Sequence, residues 1–120
     1  MPAGQDLAIV ELGTNDLFKV PKPTAVNLAT FAKQYRRLVT SIKAQSPTAR
    51  LVCLSVWHPV GEAGSPTPYN ALIKASCPGA YVAISDLGQN KTRLAADGFH
   101  PNDAGHLAIT ARIKHSIHLG

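Results

Sequence analysis

The sequence predicts an α/β fold with three layers, in which a parallel β-sheet lies between helices on both of its faces. Three short apolar segments, each typical of a buried strand, alternate along the chain with three segments of helical periodicity. Such alternation gives three βα units whose strands run parallel and whose helices cover the sheet. At 120 residues the chain has the length of one domain, and we predict a single domain over residues 1–120.

The first half of the chain predicts one strand, one loop and one helix. Asp6–Leu12 is an almost continuous apolar run, which favours a strand buried on both faces. Gly13–Pro23 contains glycine, asparagine, aspartate and two prolines, which indicates a loop. Thr24–Gln45 has apolar residues at helical spacing and basic residues on the other face, so it predicts the first helix, which Ser46-Pro47 ends.

The second half predicts two further strand–helix pairs. Arg50–Trp57 and Ala80–Leu87 are the second and third predicted strands, and Tyr69–Ser76 is a short helix between them. The last helix begins at Asn102, a favourable N-cap residue, and has Asp103 in its first turn. Because sites in parallel α/β sheets form beyond the carboxyl ends of the strands, the segments after each strand are the places to search.

Composition and charge argue against several classes of protein. Apolar residues make up 45% of the chain and charged residues 16%, which is typical of a globular protein rather than a disordered one. No apolar run has the length of a membrane span, and the N-terminus does not look like a signal peptide. The net charge of +5 comes from scattered lysines and arginines without a stacking motif, so we predict no nucleic-acid partner. If the natural protein is exported, we expect its signal outside this chain, so the compartment stays open.

The two cysteines, Cys53 and Cys77, do not have the spacing of a zinc site. Cys53 lies within a predicted strand, where buried free thiols are common. A disulfide between the two is the alternative, and the sequence does not give the Cα distance that would decide between them.

Two segments that follow predicted strands carry residues suited to catalysis. In Gly13-Thr14-Asn15-Asp16 the glycine permits a sharp turn, and the side-chain N–H of Asn15 can stabilise a developing oxyanion. In the other segment Asp97 precedes His100 by three residues, and its carboxylate can orient one imidazole nitrogen and leave the other as a general base. Taken alone, each segment is explained as well by an ordinary turn or a helix cap.

Together the segments DLAIVELGTND and DGFHPNDAGH resemble the third and fifth sequence blocks of the SGNH hydrolases, also called GDSL esterases and lipases. The stretch YRRLVTSIKAQSPTARLVCLSVW between them is similar to the helix and strand that follow the third block. The resemblance covers nearly the whole chain in the family's order. It implies part of a flavodoxin-like fold, a small ester as substrate, and hydrolysis through an acyl-serine with no metal or organic cofactor.

The resemblance also implies roles for particular residues. Asn15 matches the oxyanion donor, and His100 matches the general base that activates the nucleophile and then protonates the leaving alcohol. Asp97 matches the acid that orients His100. Gly13 matches the turn glycine, and Asp16 a position that holds the loop.

Trp57 ends the second predicted strand at the rim of the expected site. There its ring either shapes an acyl or alcohol pocket or simply packs.

The family's nucleophile is missing from the chain. It belongs to a Gly-Asp-Ser motif after the family's first strand, and a second oxyanion donor, a glycine, follows in the second block; this sequence contains neither motif. The chain begins just before the family's third strand, which suggests a truncated esterase with about half of an active site. Ser65 lies in a suitable loop but lacks the motif, and Thr14 lies inside the oxyanion loop, so we expect neither to replace the serine.

Without the family's first two strands, Asp6–Leu12 becomes an edge strand. It is apolar and has no central lysine or proline to discourage pairing, so we predict a homo-oligomer, such as a two-fold dimer with a continuous sheet. Two functions remain open: an esterase whose nucleophile lies outside this chain, and a non-enzymatic remnant that acts as a self-associating scaffold or binding module.

Overall fold

The computed structural model describes residues 7–117. It confirms the predicted α/β class, with a three-stranded parallel sheet and helices. Two short 3-10 helices, Ser85–Gln89 and Lys91–Arg93, precede the last α-helix. The strands and α-helices in chain order are β1 (Leu7–Glu11), α1 (Thr14–Lys19), α2 (Ala25–Gln45), β2 (Arg50–Leu54), α3 (Thr67–Ser76), β3 (Ala80–Val82) and α4 (Asp103–Ile117).

The sheet has the order β1-β2-β3, so β2 is central and β1 is an edge strand. Ile9 pairs in register with Val52, and Val52 with Ala80. Residues paired in this way project their side chains on the same face of the sheet. Asp6, which we predicted to begin the first strand, lies outside the described residues.

Each face of the sheet packs against its own layer of helices. One core joins the sheet to α2 and α3, and includes Val10, Cys53, Phe31, Tyr35, Tyr69 and Ile73. The other joins it to α4, and includes Val52, Leu54, Val82, Ile113 and Ile117. This is the predicted three-layer arrangement. Between residues 7 and 117 we find no helix that combines the length and hydropathy needed to cross a bilayer.

Cys53 and Cys77 form a disulfide, which decides between the two alternatives that the sequence left open. The bond joins the fully buried middle of the sheet to the end of α3, with the two Cα atoms 6.2 Å apart. The cysteines are 24 residues apart in sequence. A loop of that size loses enough chain entropy on closure to stabilise the fold by about 3 kcal/mol.

The predicted loop at Gly13–Pro23 is wrong in part, because Thr14–Lys19 forms α1. Glycine, asparagine and aspartate are turn residues, but the same types also begin helices. Here the burial of Leu17 favours the helix. Its side chain is 2% exposed and holds the short helix against the core.

The second and third strands are shorter than predicted. At their carboxyl ends the backbone forms hydrogen bonds with side chains instead of with a neighbouring strand. After β2, the backbone N–H of Val56 donates to Asn70 Oδ1 at 2.8 Å. After β3, the fully buried Ser55 hydroxyl accepts the N–H groups of Ile84 and Ser85 at 2.7 and 3.0 Å. These bonds satisfy buried backbone donors without hydrogen bonds to a neighbouring strand. After β3 the chain therefore turns into a 3-10 helix, where the apolar pattern alone predicted that the strand continues.

Candidate active site

A cleft of about 310 Å³ lies beyond the carboxyl ends of β1 and β2, against the start of α4. It brings together Asn15, Trp57 and His100, three of the residues predicted for the site, from three separate parts of the chain. The rest of its lining consists of Glu11, Thr14, Leu54, Phe99, Pro101, His106 and Ile109. A larger but shallow depression of about 450 Å³ runs along the outer face of α2; its lining has cations and hydroxyls but no acid–base pair.

Asp97 binds both the ring and the backbone of the segment that carries His100. Its Oδ2 lies 2.6 Å from His100 Nδ1. Its Oδ1 accepts the backbone N–H groups of Phe99 and His100 at 2.9 and 3.0 Å. One carboxylate therefore fixes the turn and the imidazole together, and Nε2 is left as the nitrogen available for proton transfer.

These hydrogen bonds lower the pKa of Asp97 to about 2, with the bond from His100 contributing most and the two backbone N–H groups next. The carboxylate is therefore ionised at neutral pH. Both side chains are well exposed, 72% for His100 and 49% for Asp97. Because water screens exposed ion pairs, the charge–charge attraction itself adds little to global stability, and the main role of the pair is to orient the imidazole.

The start of α4 holds this turn in place. Asn102 Nδ2 donates to the carbonyls of Thr92 and Leu94 at 2.9 and 3.0 Å, and its Oδ1 accepts the Gly105 N–H at 2.9 Å, as an N-cap does. A Cβ on Gly105 would lie 2.5 Å from the Arg93 carbonyl oxygen, so only glycine allows α4 to approach the backbone of Arg93 so closely. The turn that carries Asp97 and His100 is thus framed by the helix start that the sequence predicted.

The segment Gly13–Asp16, which the sequence analysis predicted to hold an oxyanion donor and which we call the oxyanion turn after that prediction, depends on Gly13. This residue has a φ of 112°, a conformation that favours glycine, and a Cβ there would lie 2.9 Å from Val56 Cγ2. Its carbonyl accepts the Leu17 N–H at 2.9 Å, which begins α1. Asn15 then lies exposed in the first turn of α1 and lines the cleft.

Glu11 is a cleft residue that the sequence analysis missed. Its Oε1 accepts the Thr14 hydroxyl at 2.9 Å and the Trp57 backbone N–H at 3.2 Å. The Thr14 hydroxyl also lies 2.9 Å from the Trp57 carbonyl. The end of β1, the oxyanion turn and the segment after β2 are thereby joined at one place. The signal in the sequence was a lone carboxylate at the end of an apolar strand, two residues before Gly13.

Trp57 does more than shape the rim. It is 4% exposed, and its indole N–H donates to the Phe99 carbonyl at 2.9 Å. Its backbone therefore holds the oxyanion turn while its side chain holds the turn of the Asp97–His100 pair.

A comparison with protein-family models identifies a family for the chain. The model of the GDSL-like Lipase/Acylhydrolase family matches residues 2–108. The chain belongs to this family. Searches of the curated proteins and of the solved structures find no significant match.

In this GDSL-like chain the predicted site residues occupy different places. Asn15, Trp57 and His100 line the cleft, Asp97 contacts His100, and Gly13 forms the turn before α1. The Asp16 carboxylate makes no hydrogen bond among the described residues. Its backbone carbonyl instead accepts the Val20 N–H at 2.8 Å.

The cleft's lining contains no serine among the residues that the structure describes. Ser65 lies outside it, with its hydroxyl bonded to Thr67 Oγ1 at 3.1 Å. Ser55 belongs to the buried network after the strands. Thr14 is the one hydroxyl side chain in the lining, and its hydrogen bonds to Glu11 and Trp57 give it a structural role.

The low pKa of Asp97 predicts how the site responds to acid. Because the folded-state pKa lies below the ordinary value of 3.8, the contribution of Asp97 to stability is present above that value and is lost as pH falls through about 2. The Asp97 carboxyl carbon should therefore titrate near pH 2 by NMR. The difference in unfolding free energy between wild type and Asp97→Asn should shrink over the same range. Glu62→Gln, in the loop after β2, is the control for the loss of one acidic charge; an Asp97 that titrates at its ordinary value contradicts the assignment.

Proposed function

We propose that this chain supplies the acid–base and oxyanion-binding half of a serine ester hydrolase site. The observation that carries the proposal is the 2.6 Å contact between Asp97 and His100. His100 lines the same cleft as Asn15, and the chain belongs to the GDSL-like family. A base, its orienting acid and an oxyanion donor at one cleft are the groups that acyl transfer to a serine requires besides the serine itself.

In the proposed reaction, a serine from outside the described lining attacks the carbonyl carbon of a small ester. His100 takes the serine's proton, and Asp97 stabilises the resulting imidazolium. The side-chain N–H of Asn15 donates to the oxyanion of the tetrahedral intermediate. When the intermediate collapses, the bond to the alcohol oxygen breaks and His100 returns its proton to that alcohol. Water then attacks the acyl-serine with the same assistance and releases the acid.

The proposed chemistry needs no metal and no organic cofactor, because proton transfer and hydrogen bonding supply each step. Because the described cleft contains no serine, we expect this chain on its own to hydrolyse esters near the background rate.

The oxyanion assignment predicts selective binding of a tetrahedral anion. Ethyl butylphosphonate, a stable monoanion shaped like the intermediate, should bind the cleft and shift the Asn15 side-chain NMR signals. Asn15→Ala should weaken this binding about tenfold, as expected for the loss of one hydrogen bond to a charged group. Gln34→Ala, which removes an exposed amide from α2, is the matched control and should leave the affinity unchanged. Equal affinity in wild type and Asn15→Ala contradicts the proposed role.

A second candidate function, self-association as a scaffold, is favoured by the edge of the sheet. The outer edge of β1 has no partner strand within residues 7–117. On this face of the sheet α4 packs against β2 and β3. Leu7 and Ile9 of β1 project on the same face and are 37% and 48% exposed. Exposed apolar side chains beside unpaired backbone groups favour the addition of another strand.

A second copy of β1 is the occupant that we propose for this edge. In a two-fold antiparallel pair centred on Ile9, Leu7 of each copy lies opposite Glu11 of the other, so the two carboxylates stay apart. Both faces of β1 carry apolar residues. The added copy of β1 would therefore place apolar side chains beside those of the first copy on both faces of the sheet.

Self-association predicts a dimer in gel filtration with light scattering at micromolar concentration. Ile9→Lys should give a folded monomer, because a charge at the centre of the pair has no partner there. Val26→Lys places the same charge at a residue that is 73% exposed on α2, and it should leave the dimer intact. A monomeric wild type overturns this proposal and leaves the ester hydrolase proposal untouched.

A further inference from the structure

We infer that Phe18 and Phe99 form a binding surface for an aromatic ring of the ester; the inference rests on the proposed function for its place in the reaction. Phe99 lines the cleft, and its ring centroid lies 5.2 Å from that of His100. Phe18 packs edge-to-face on Phe99, with centroids 5.5 Å apart and ring planes at 82°. Phe18 is nevertheless 57% exposed. We call these two rings the aromatic platform.

The position of Phe18 follows from the geometry of α1. Asn15 and Phe18 are three residues apart, so they lie on one face of this helix. Leu17 projects toward the core and is 2% exposed, which turns Phe18 outward. The helix turn that presents the proposed oxyanion donor therefore also presents an open aromatic ring beside it.

The backbone of Phe99 is held from two sides. Its N–H donates to Asp97 Oδ1 at 2.9 Å, and its carbonyl accepts the Trp57 indole N–H at 2.9 Å. A ring on a fixed backbone loses little further freedom when a ligand packs against it, which favours binding. The backbone that carries the Phe99 ring is therefore fixed before a ligand arrives.

The chemistry of the aromatic platform favours a ring over an aliphatic group of equal size. Any apolar group that covers Phe18 removes exposed hydrocarbon from water. An aromatic ring adds edge-to-face or offset-stacked contacts, which strengthen an aromatic pair by between about twofold and tenfold in affinity beyond area alone. Phenyl and cyclohexyl esters of one acid differ mainly in this term.

The test compares phenyl butyrate with cyclohexyl butyrate as ligands. Trp57 is the one tryptophan in the sequence, so its indole N–H gives one NMR signal that reports on the Phe99 carbonyl. Wild type should bind the phenyl ester between about twofold and tenfold more tightly than the cyclohexyl ester. Phe18→Leu keeps an apolar side chain but removes the ring, and it should abolish this preference. Val26→Ala, another exposed apolar residue, should retain it.

Two results overturn the inference: a wild type without preference for the phenyl ester, or a Phe18→Leu variant that keeps the preference. Neither depends on turnover, so they are distinct from a failure of the proposed function. If Asn15→Ala binds the phosphonate as wild type does while Phe18→Leu loses the ring preference, the catalytic proposal fails and the aromatic platform stands. If instead Asn15→Ala weakens phosphonate binding while Phe18→Leu keeps the ring preference, the aromatic platform proposal fails and the catalytic proposal stands.

Discussion

The arrangement of the site depends on the hydrogen bonds of Trp57. Its backbone N–H and carbonyl bind Glu11 and Thr14, which fixes the oxyanion turn to the end of the central strand. Its indole N–H donates to the Phe99 carbonyl, which fixes the turn that carries Asp97 and His100 on the other side of the cleft. Because the residue is 4% exposed, its donors have no alternative in water, and an unmade bond there would cost about 1–3 kcal/mol. One buried residue thus links the segment that carries the proposed oxyanion donor to the segment that carries the proposed base.

The exposed cleft and the free edge of the sheet lie on the same side of the molecule. Glu11 lines the cleft, and the exposed Leu7 and Ile9 share with it the α4-side face of β1. A strand added along β1 would therefore end beside the cleft. The two proposed functions therefore involve neighbouring parts of the molecule, because Glu11, at the end of β1, also lines the cleft.

The sequence predicted what depends on local pattern. Continuous apolar runs gave the three strands, and helical spacing gave α2 and the start of α4. The spacing of Asp97 and His100 gave a contact that the structure contains at 2.6 Å. Local pattern failed where a distant side chain decides the backbone: the Ser55 hydroxyl ends the third strand, and the burial of Leu17 makes a helix from a predicted loop. Glu11 was missed for the same reason, since its partner Trp57 is 46 residues away.

The central proposal is that His100, Asp97 and Asn15 are a base, its orienting acid and an oxyanion donor, and that no hydroxyl of the described cleft is the nucleophile they would serve. The most direct test is the intact mass of the folded protein after incubation with a serine-reactive fluorophosphonate. The account predicts an unmodified mass for wild type and for His100→Ala alike. A single stoichiometric adduct that forms in wild type and is lost in His100→Ala would contradict it. Such an adduct would show that a hydroxyl within these 120 residues is activated by His100, and peptide mapping would name the residue.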